Sequence, residues 1–170
     1  KKMAVVNVTS APAALNALNG VYGAYVDSIP VIIISGQPKQ SQTVGSTSMP
    51  LRQLGDQEFD AITEVVKPIC KYVLRVSDST NISFEIEKCI KIATSGRPGP
   101  VWIDVPMDMQ AKKFVPLQYD PAAFEIIQRN DINLRSNNVN ETTLDLIVQK
   151  ISNSSRPVLY LGAHLKSYEH

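Results

Sequence analysis

Polar side chains that could bind a ligand occur where an apolar run gives way to a helical pattern. Thr9 and Ser10 follow the β-branched run Ala4–Val8 and precede a segment with helical periodicity. Ligands of open α/β sheets bind at this position, beyond the carboxyl ends of the strands. The segment lacks the glycines of a phosphate-binding loop. A ligand site and simple capping by the two hydroxyl groups therefore stay open as alternatives.

Amide and carboxyl groups that could take part in acid–base chemistry occur at two further places. Gln57, Glu58 and Asp60 follow a long polar segment, and Asp104 lies in a short apolar run. Such groups can contribute to a site, but they also serve as solvated helix caps or structural partners. The sequence does not decide between these roles.

The residue types of a metal site or a nucleophile–base pair do not occur at a suitable spacing. Cys70 and Cys89 form no Cys-x-x-Cys motif, and His164 and His170 have no partner motif. We interpret both cysteines as small buried side chains in a reducing compartment, and we predict no metal ligands in this chain.

The charge and the apolar runs bear on two classes of partner. The formal net charge is +1, and no basic stripe with interleaved aromatic residues occurs, which disfavours a nucleic-acid partner. The longest apolar run, residues 31–34, is far shorter than the roughly 20 residues that span a bilayer. We therefore predict a cytoplasmic protein without a membrane partner.

The elements that must position these groups follow from hydrophobic periodicity. Strands are predicted at 4–8, 31–35, 69–76 and 101–105, the first and the last of them buried. A helix is predicted at 14–26, and a short one follows residues 57–60 and ends at Val66. A third helix is predicted from a cap at Asp78 or Ser79 to Gly96. Strand–helix–strand units of this length require right-handed crossovers. The fold class predicted is α/β, an open parallel sheet with flanking helices.

Two of the predicted helices carry further expectations. Gly20 and Gly23 lie inside the first helix and indicate close packing against the sheet or another subunit. The helix after Ser79 is predicted to bury one apolar face, formed by Ile82, Ile86, Cys89, Ile90 and Ala93.

The pattern changes beyond Gln110. Residues 112–138 have no sustained period and are interpreted as an interdomain linker. A helix capped near Asn140 and a strand at 156–162 then predict the start of a second α/β domain over 139–170. Residues 36–55 are predicted to form a long polar loop. We also expect both ends of the sequence to be cut from a longer chain.

Four segments in this order resemble one known family. They are VTSAPAALNALNGVYGAYVDSIPVIIISGQ, LRQLGDQEFD, VVKPICKYVLRV and ATSGRPGPVWIDVPMDMQ. Residues 4–111 resemble the pyrimidine-binding (PYR) domain of thiamine diphosphate enzymes, most closely the acetolactate synthase-like branch. The resemblance implies a PYR domain over 1–111 that lacks its N-terminal part, then the linker and the beginning of the family's central domain.

The resemblance also implies an activity and its cofactors. Enzymes of this branch use thiamine diphosphate to decarboxylate a 2-oxo acid, typically pyruvate, and they transfer the resulting acyl carbanion to a second carbonyl. The cofactor lies at a subunit interface, which implies a homodimer or homotetramer. Mg²⁺ holds the diphosphate on a domain that would follow this chain, and FAD occupies the central domain in acetolactate synthases.

Site roles carry over to six positions. Ala11, Pro12 and Ala13 match the family's turn beside the thiamine pyrimidine, and Asn16 matches the asparagine of the same segment. Gln57 matches the glutamine that faces the substrate side of the cofactor. Arg97 matches the arginine of Gly-Arg-Pro-Gly-Pro, which contacts FAD.

The sequence departs from the family at informative positions. Alanines replace both turn glycines, Asp56 replaces a phenylalanine, and Met107 replaces a lysine, the last two near the substrate channel. The activating glutamate and the diphosphate motif would lie outside residues 1–170. We therefore expect this chain alone neither to bind thiamine diphosphate tightly nor to decarboxylate pyruvate. The alternative is a non-catalytic PYR-like module for dimerisation or regulation.

Overall fold

The fold is a parallel sheet of four strands with helices on both faces. A computed structural model describes residues 3–10, 12–48, 61–114 and 140–162. The strands are β1 (Ala4–Val8), β2 (Val31–Gln37), β3 (Tyr72–Arg75) and β4 (Val101–Pro106). They pair in the order β1-β2-β4-β3, and every pair is parallel. The predicted α/β class with an open parallel sheet is confirmed.

Seven helices are present in the described ranges. They are α1 (Pro12–Asn16), α2 (Leu18–Val26), α3 (Val44–Thr47), α4 (Ala61–Val66), α5 (Ile82–Thr94), α6 (Met107–Gln110) and α7 (Glu141–Ser152). Short 3-10 turns at Gln40–Gln42 and Lys67–Ile69 extend two connections. Pro68 lies in the second turn, where its missing N–H prevents α4 from continuing as an α-helix.

The core has two halves, one on each face of the sheet. Ile33 and Trp102 on one face pack with Ala14 and Val21 of α1 and α2 and with Val66 of α4. The other face packs against α5 and α6 through the side chains Ile32, Val101, Ile103, Cys89, Ile92, Ala93 and Met109. β4 lies between β2 and β3 and is covered by helices on both faces, so it is buried as its short, mostly apolar run predicts.

The first strand and the first helix differ from the prediction. β1 was predicted to be buried, but it is an edge strand that pairs with β2, and Val5 is 60% exposed. The helix predicted over 14–26 is two helices, because the chain turns at Ala17, whose N–H bonds to the Ala14 carbonyl three residues back. A Cβ atom on Gly20 or Gly23 would meet nothing within 4 Å, so these glycines do not pack against the sheet.

α5 is rotated relative to the face predicted for it. Cys89 and Ala93 are buried as expected, but Ile86 and Ile90 are 39% and 40% exposed, and Lys88 is buried instead. The Lys88 ammonium group lies 4.8 Å from the centre of the Tyr72 ring, so its stem covers apolar surface while its charge meets an aromatic face.

The start of α5 also differs from the predicted caps. The helix begins after Asn81, and the carboxylate of Asp78 accepts hydrogen bonds from the N–H and the hydroxyl of Thr80, closing a local turn. Gly96 follows the helix with φ 54°, a left-handed conformation that suits glycine, and this confirms the predicted stop.

The boundaries of two other predicted elements shift, and one helix was not predicted. β2 runs on to Gln37, the third strand is limited to Tyr72–Arg75, and α6 begins directly after Pro106, where no helix was predicted. Part of the predicted polar loop is ordered as α3, whereas residues 49–55 lie outside the described residues.

The C-terminal segment confirms one element and contradicts another. α7 forms as predicted, and the Asn140 side chain caps it by accepting from the Thr142 N–H at 3.2 Å. Most of the predicted linker lies outside the described residues. Residues 156–162 are not a strand, and Val158 and Tyr160 are 90% and 98% exposed. An isolated apolar segment without a neighbouring strand cannot form a hydrogen-bonded ladder.

Candidate functional site

A cavity of about 400 Å³ opens at the carboxyl ends of β1, β2 and β4. Its lining consists of Asn7, Val8, Thr9, Ile34, Ser35, Gly36, Val105 and Gln110. Because all strands are parallel, their carboxyl ends meet at one edge, and the chain leaves β1 there to begin α1. The segment after the first strand, where the sequence left a ligand site and simple capping open, therefore borders a cavity.

Gly36 brings the backbone of β2 close to the side chain of Gln110 in this cavity. A Cβ atom at Gly36 would lie 3.3 Å from Gln110 Nε2, and that amide nitrogen donates to the Val105 carbonyl at 2.8 Å. A larger side chain at position 36 would push the amide away from β4. Gly36 and Gln110 therefore define one wall of the cavity together.

The described turn residues carried over from the family do not line the cavity, although Pro12 begins α1 three positions after Thr9, which does. Pro12 is exposed at the first position of α1, Ala13 is half-buried, and Asn16 is exposed at the helix end. Neither Pro12 nor Ala13 has a positive φ, so the alanine at position 13 adopts a backbone conformation that any L-residue accepts. Ala11 lies outside the described residues, as do Asp56 and Gln57.

Arg97 lies at the opposite edge of the sheet, on the turn before β4. Its Nε donates to the Ser28 hydroxyl at 2.7 Å, and its Nη2 donates to the Val26 carbonyl at 3.1 Å. Ser28 is buried and has φ 54°, so the arginine secures a tight turn at the end of α2. The structure thus separates Arg97 from the residues beside the cavity.

A buried polar cluster lies on β2 and β4 next to the cavity. Asp104 is 0% exposed and accepts hydrogen bonds from the Ser35 hydroxyl at 2.5 Å and from the amide nitrogen of Gln37. The Ser35 oxygen in turn accepts from Trp102 Nε1 at 2.8 Å. We name Ser35, Gln37, Trp102 and Asp104 the Asp104 cluster.

Burial sets the acidity of this cluster. Desolvation raises the pKa of Asp104 from 3.8 to about 6, and the hydrogen bonds from Ser35 and Gln37 and the charge of Arg75 oppose that rise. Strand pairing places Arg75 of β3 directly beside Asp104. The sequence left the role of Asp104 open, but one acid in an otherwise apolar strand is itself a signal that polar partners must exist.

Two further groups have no role at the cavity. Burial raises the pKa of both Cys70 and Cys89 to about 12, so both thiols stay protonated. Cys89 is buried as predicted, whereas Cys70 is only half-buried. A separate groove of about 510 Å³ runs along β3 and α4, lined by residues such as Glu64, Lys67 and Tyr72. It contains none of the predicted site residues.

Two kinds of feature are absent from the described ranges. These ranges contain no group of three or more His, Cys, Asp or Glu side chains placed to hold a metal ion. None of the helices there is both long and apolar enough to cross a membrane.

Comparison with known proteins gives the same family as the sequence motifs. Residues 1–63 match the family model described as thiamine pyrophosphate enzyme, N-terminal TPP binding domain. Acetolactate synthase 2 of Nicotiana tabacum, chloroplastic, is 35% identical over 156 residues, which is 91% of this chain and 21% of that protein.

Bacterial relatives align over still more of the chain. The acetolactate synthase large subunits of Haemophilus influenzae and Buchnera aphidicola are 34% and 36% identical over 95% and 98% of this chain. The chain spans only 26% and 27% of the length of these two relatives. It therefore belongs to the thiamine diphosphate-dependent enzymes, on their acetolactate synthase-like branch.

Proposed function

We propose that this chain supplies the pyrimidine-binding side of a thiamine diphosphate site in an acetolactate synthase-like enzyme. The enzyme would decarboxylate a 2-oxo acid, pyruvate above all, and transfer the acyl unit to a second carbonyl. The observation that carries the proposal is the cavity at the carboxyl ends of β1, β2 and β4, beside the segment that begins α1. The relatives named acetolactate synthases support the choice of reaction.

The lining of the cavity fits a planar aminopyrimidine. Val8, Ile34 and Val105 supply apolar surface for the faces of a ring, and Asn7 and Thr9 add polar groups for its nitrogen atoms. The lining combines three apolar side chains with four polar ones, and a volume of about 400 Å³ lies within the range of pockets that bind small ligands.

The residues of this chain would position the cofactor and the substrate. When bound, thiamine diphosphate supplies the chemistry that breaks the bond to the carboxylate of the 2-oxo acid. Ala11, Pro12, Ala13 and Asn16 would hold the edge of the pyrimidine, and Gln57 would face the substrate. Excluding water from the cavity would strengthen the hydrogen bonds that orient the ring.

Further cofactors and the assembly belong to the same proposal. Arg97 is exposed at the edge opposite the cavity, and the guanidinium N–H groups that do not bind Ser28 and Val26 are good partners for the diphosphate of FAD. The family implies Mg²⁺, which would bind with the diphosphate on another domain of the protein. The family implies a homodimer or homotetramer with the cofactor between subunits. A cytoplasmic location stays a prediction.

The test is release of CO₂ from pyruvate by the protein that carries this chain. We expect release that requires both thiamine diphosphate and Mg²⁺, and none from the 170-residue chain alone. Other 2-oxo acids, assayed in parallel, would define the substrate. If no 2-oxo acid yields cofactor-dependent CO₂, the catalytic proposal is wrong, and the non-catalytic module becomes the better account.

A further inference from the structure

The Asp104 cluster brings an acid into the interior of the sheet without exposure to water. Desolvating a carboxylate is costly unless hydrogen bonds replace the lost water, and Asp104 obtains two from side chains of the neighbouring strand. Ser35 and Gln37 lie on the same face of β2 because strand side chains alternate with a period of two. The Asp104 carboxylate therefore fixes the positions of two successive side chains on one face of β2.

The hydrogen bonds of the cluster fix the direction of each polar group. The Ser35 hydroxyl donates its proton to Asp104 and accepts from Trp102, so its orientation is determined from both sides. An ionised carboxylate only accepts, so Gln37 must turn its NH₂ group rather than its carbonyl oxygen toward Asp104. Protonation of Asp104 would add a donor and remove this requirement.

The backbone between the two anchored residues forms a wall of the cavity. Gly36 lies between Ser35 and Gln37, and both Ser35 and Gly36 line the cavity. The Gly36 backbone has little room to move toward Gln110, since a Cβ atom at Gly36 would be only 3.3 Å from the side-chain amide nitrogen of Gln110. Movement of Ser35 or Gln37 would therefore change the width of the cavity.

We propose that Asp104 is a positioning residue for the cavity. Its ionised carboxylate holds Ser35 and Gln37, and through them it holds the Gly36 backbone against which a ligand would pack. The identity of this ligand as thiamine diphosphate rests on the proposed function. The fixed position of residues 35–37 at the end of β2 does not depend on it. Asp104 does not line the cavity and acts only through its two partners.

The surroundings of the carboxylate make this positioning dependent on pH. Among the described residues, the charged group that faces Asp104 is Arg75 of β3. The helices packed on this face contribute the apolar side chains Ala14, Val21, Ile62 and Val66. Burial raises the pKa of Asp104 to about 6, so the anchoring weakens as the pH falls through that value.

The test compares Asp104→Asn with the wild-type protein, and Asp145→Asn, an exposed position on α7, is the matched control. Trp102, the only tryptophan in the sequence, reports on the cluster through its bond to Ser35. We expect its fluorescence to titrate with a midpoint near pH 6 in the wild type and in the control but not in Asp104→Asn.

Hydrogen exchange and cofactor binding complete the experiment. At neutral pH we expect the amides of residues 35–37 to exchange severalfold faster in Asp104→Asn. In the protein that carries this chain, we expect the same substitution to raise the dissociation constant for thiamine diphosphate severalfold. If Asp104→Asn does not fold, Ser35→Ala breaks one of the two anchors and should show a smaller change in the same direction. Unchanged exchange and fluorescence in a folded variant would overturn the inference. Faster exchange in a protein that binds no cofactor at all would support it while contradicting the proposed function.

Discussion

Asp104 illustrates what can and cannot be inferred for a single residue. The sequence shows an acid in an apolar strand, and a polar partner can be anticipated because an isolated buried charge is unstable. The identity of the partners follows only from the strand order, which places β2 beside β4 and sets Ser35 opposite Asp104. Residues so far apart in the chain cannot be paired from periodicity alone.

The same residue predicts a specific dependence of stability on pH. The pKa of Asp104 is raised in the folded state to about 6 from 3.8, so the folded protein binds this proton more tightly than the unfolded chain does. The group therefore stabilises the fold fully below its ordinary pKa, and that contribution is lost as the pH rises through about 6. The Asp104→Asn variant has no titratable group at this position, so it lacks this pH dependence.

The measurement is the free energy of unfolding in urea for the wild type and for Asp104→Asn. Between about pH 4 and about pH 6 the difference should move in favour of the variant by about 2–3 kcal/mol, the equivalent of the pKa shift. A difference that stays constant across this range would show that Asp104 titrates normally. A variant more stable at neutral pH but weaker in cofactor binding would place Asp104 among residues that trade stability for function.

At the scale of secondary-structure elements, periodicity predicted the strands and most helices, and the errors have local causes. The break at Ala17 has no sequence marker, since alanine favours helix. The buried face predicted for α5 is wrong because Lys88 buries the aliphatic part of its side chain. A binary apolar–polar pattern counts every lysine as solvent-facing. Residues 156–162 read as a strand, yet a strand exists only where another one pairs with it.

The two glycine environments give a matched prediction for the elements that contain them. Gly20 lies inside α2, and a Cβ atom there meets nothing within 4 Å, so Gly20→Ala should raise the free energy of unfolding by about 0.5–1 kcal/mol through helix propensity. Thermal and urea unfolding would measure it.

Gly99→Ala is the counterpart and should have the opposite sign. A Cβ atom at Gly99 would lie 3.1 Å from Lys71 Cδ, and the Lys71 ammonium group is held by the carbonyls of Ile92 and Ser95. We expect this overpacking to lower the free energy of unfolding by about 1–2 kcal/mol. Equal effects of the two substitutions would mean that the Gly96–Gly99 turn is looser than the contacts of Lys71 indicate.

At the scale of the whole molecule, the sheet separates two groups of site residues. The residues beside the cavity lie at the carboxyl edge, whereas Arg97 lies at the amino edge, where it binds the end of α2. The family could be recognised from four ordered segments, and the comparisons confirm it. The domain boundaries and the role of Gln57 stay predictions, since most of the linker and Gln57 lie outside the described residues.

The central claim is that the cavity at the carboxyl edge binds the pyrimidine of thiamine diphosphate. Calorimetric titration of the protein that carries this chain tests it most directly, with Asn7→Trp placing a large ring in the cavity from an exposed position on the edge strand. Asn153→Trp, at the exposed end of α7, is the matched control. We expect Asn7→Trp to weaken thiamine diphosphate binding about tenfold or more and the control to leave it unchanged. Equal affinity in a folded Asn7→Trp variant would contradict the claim.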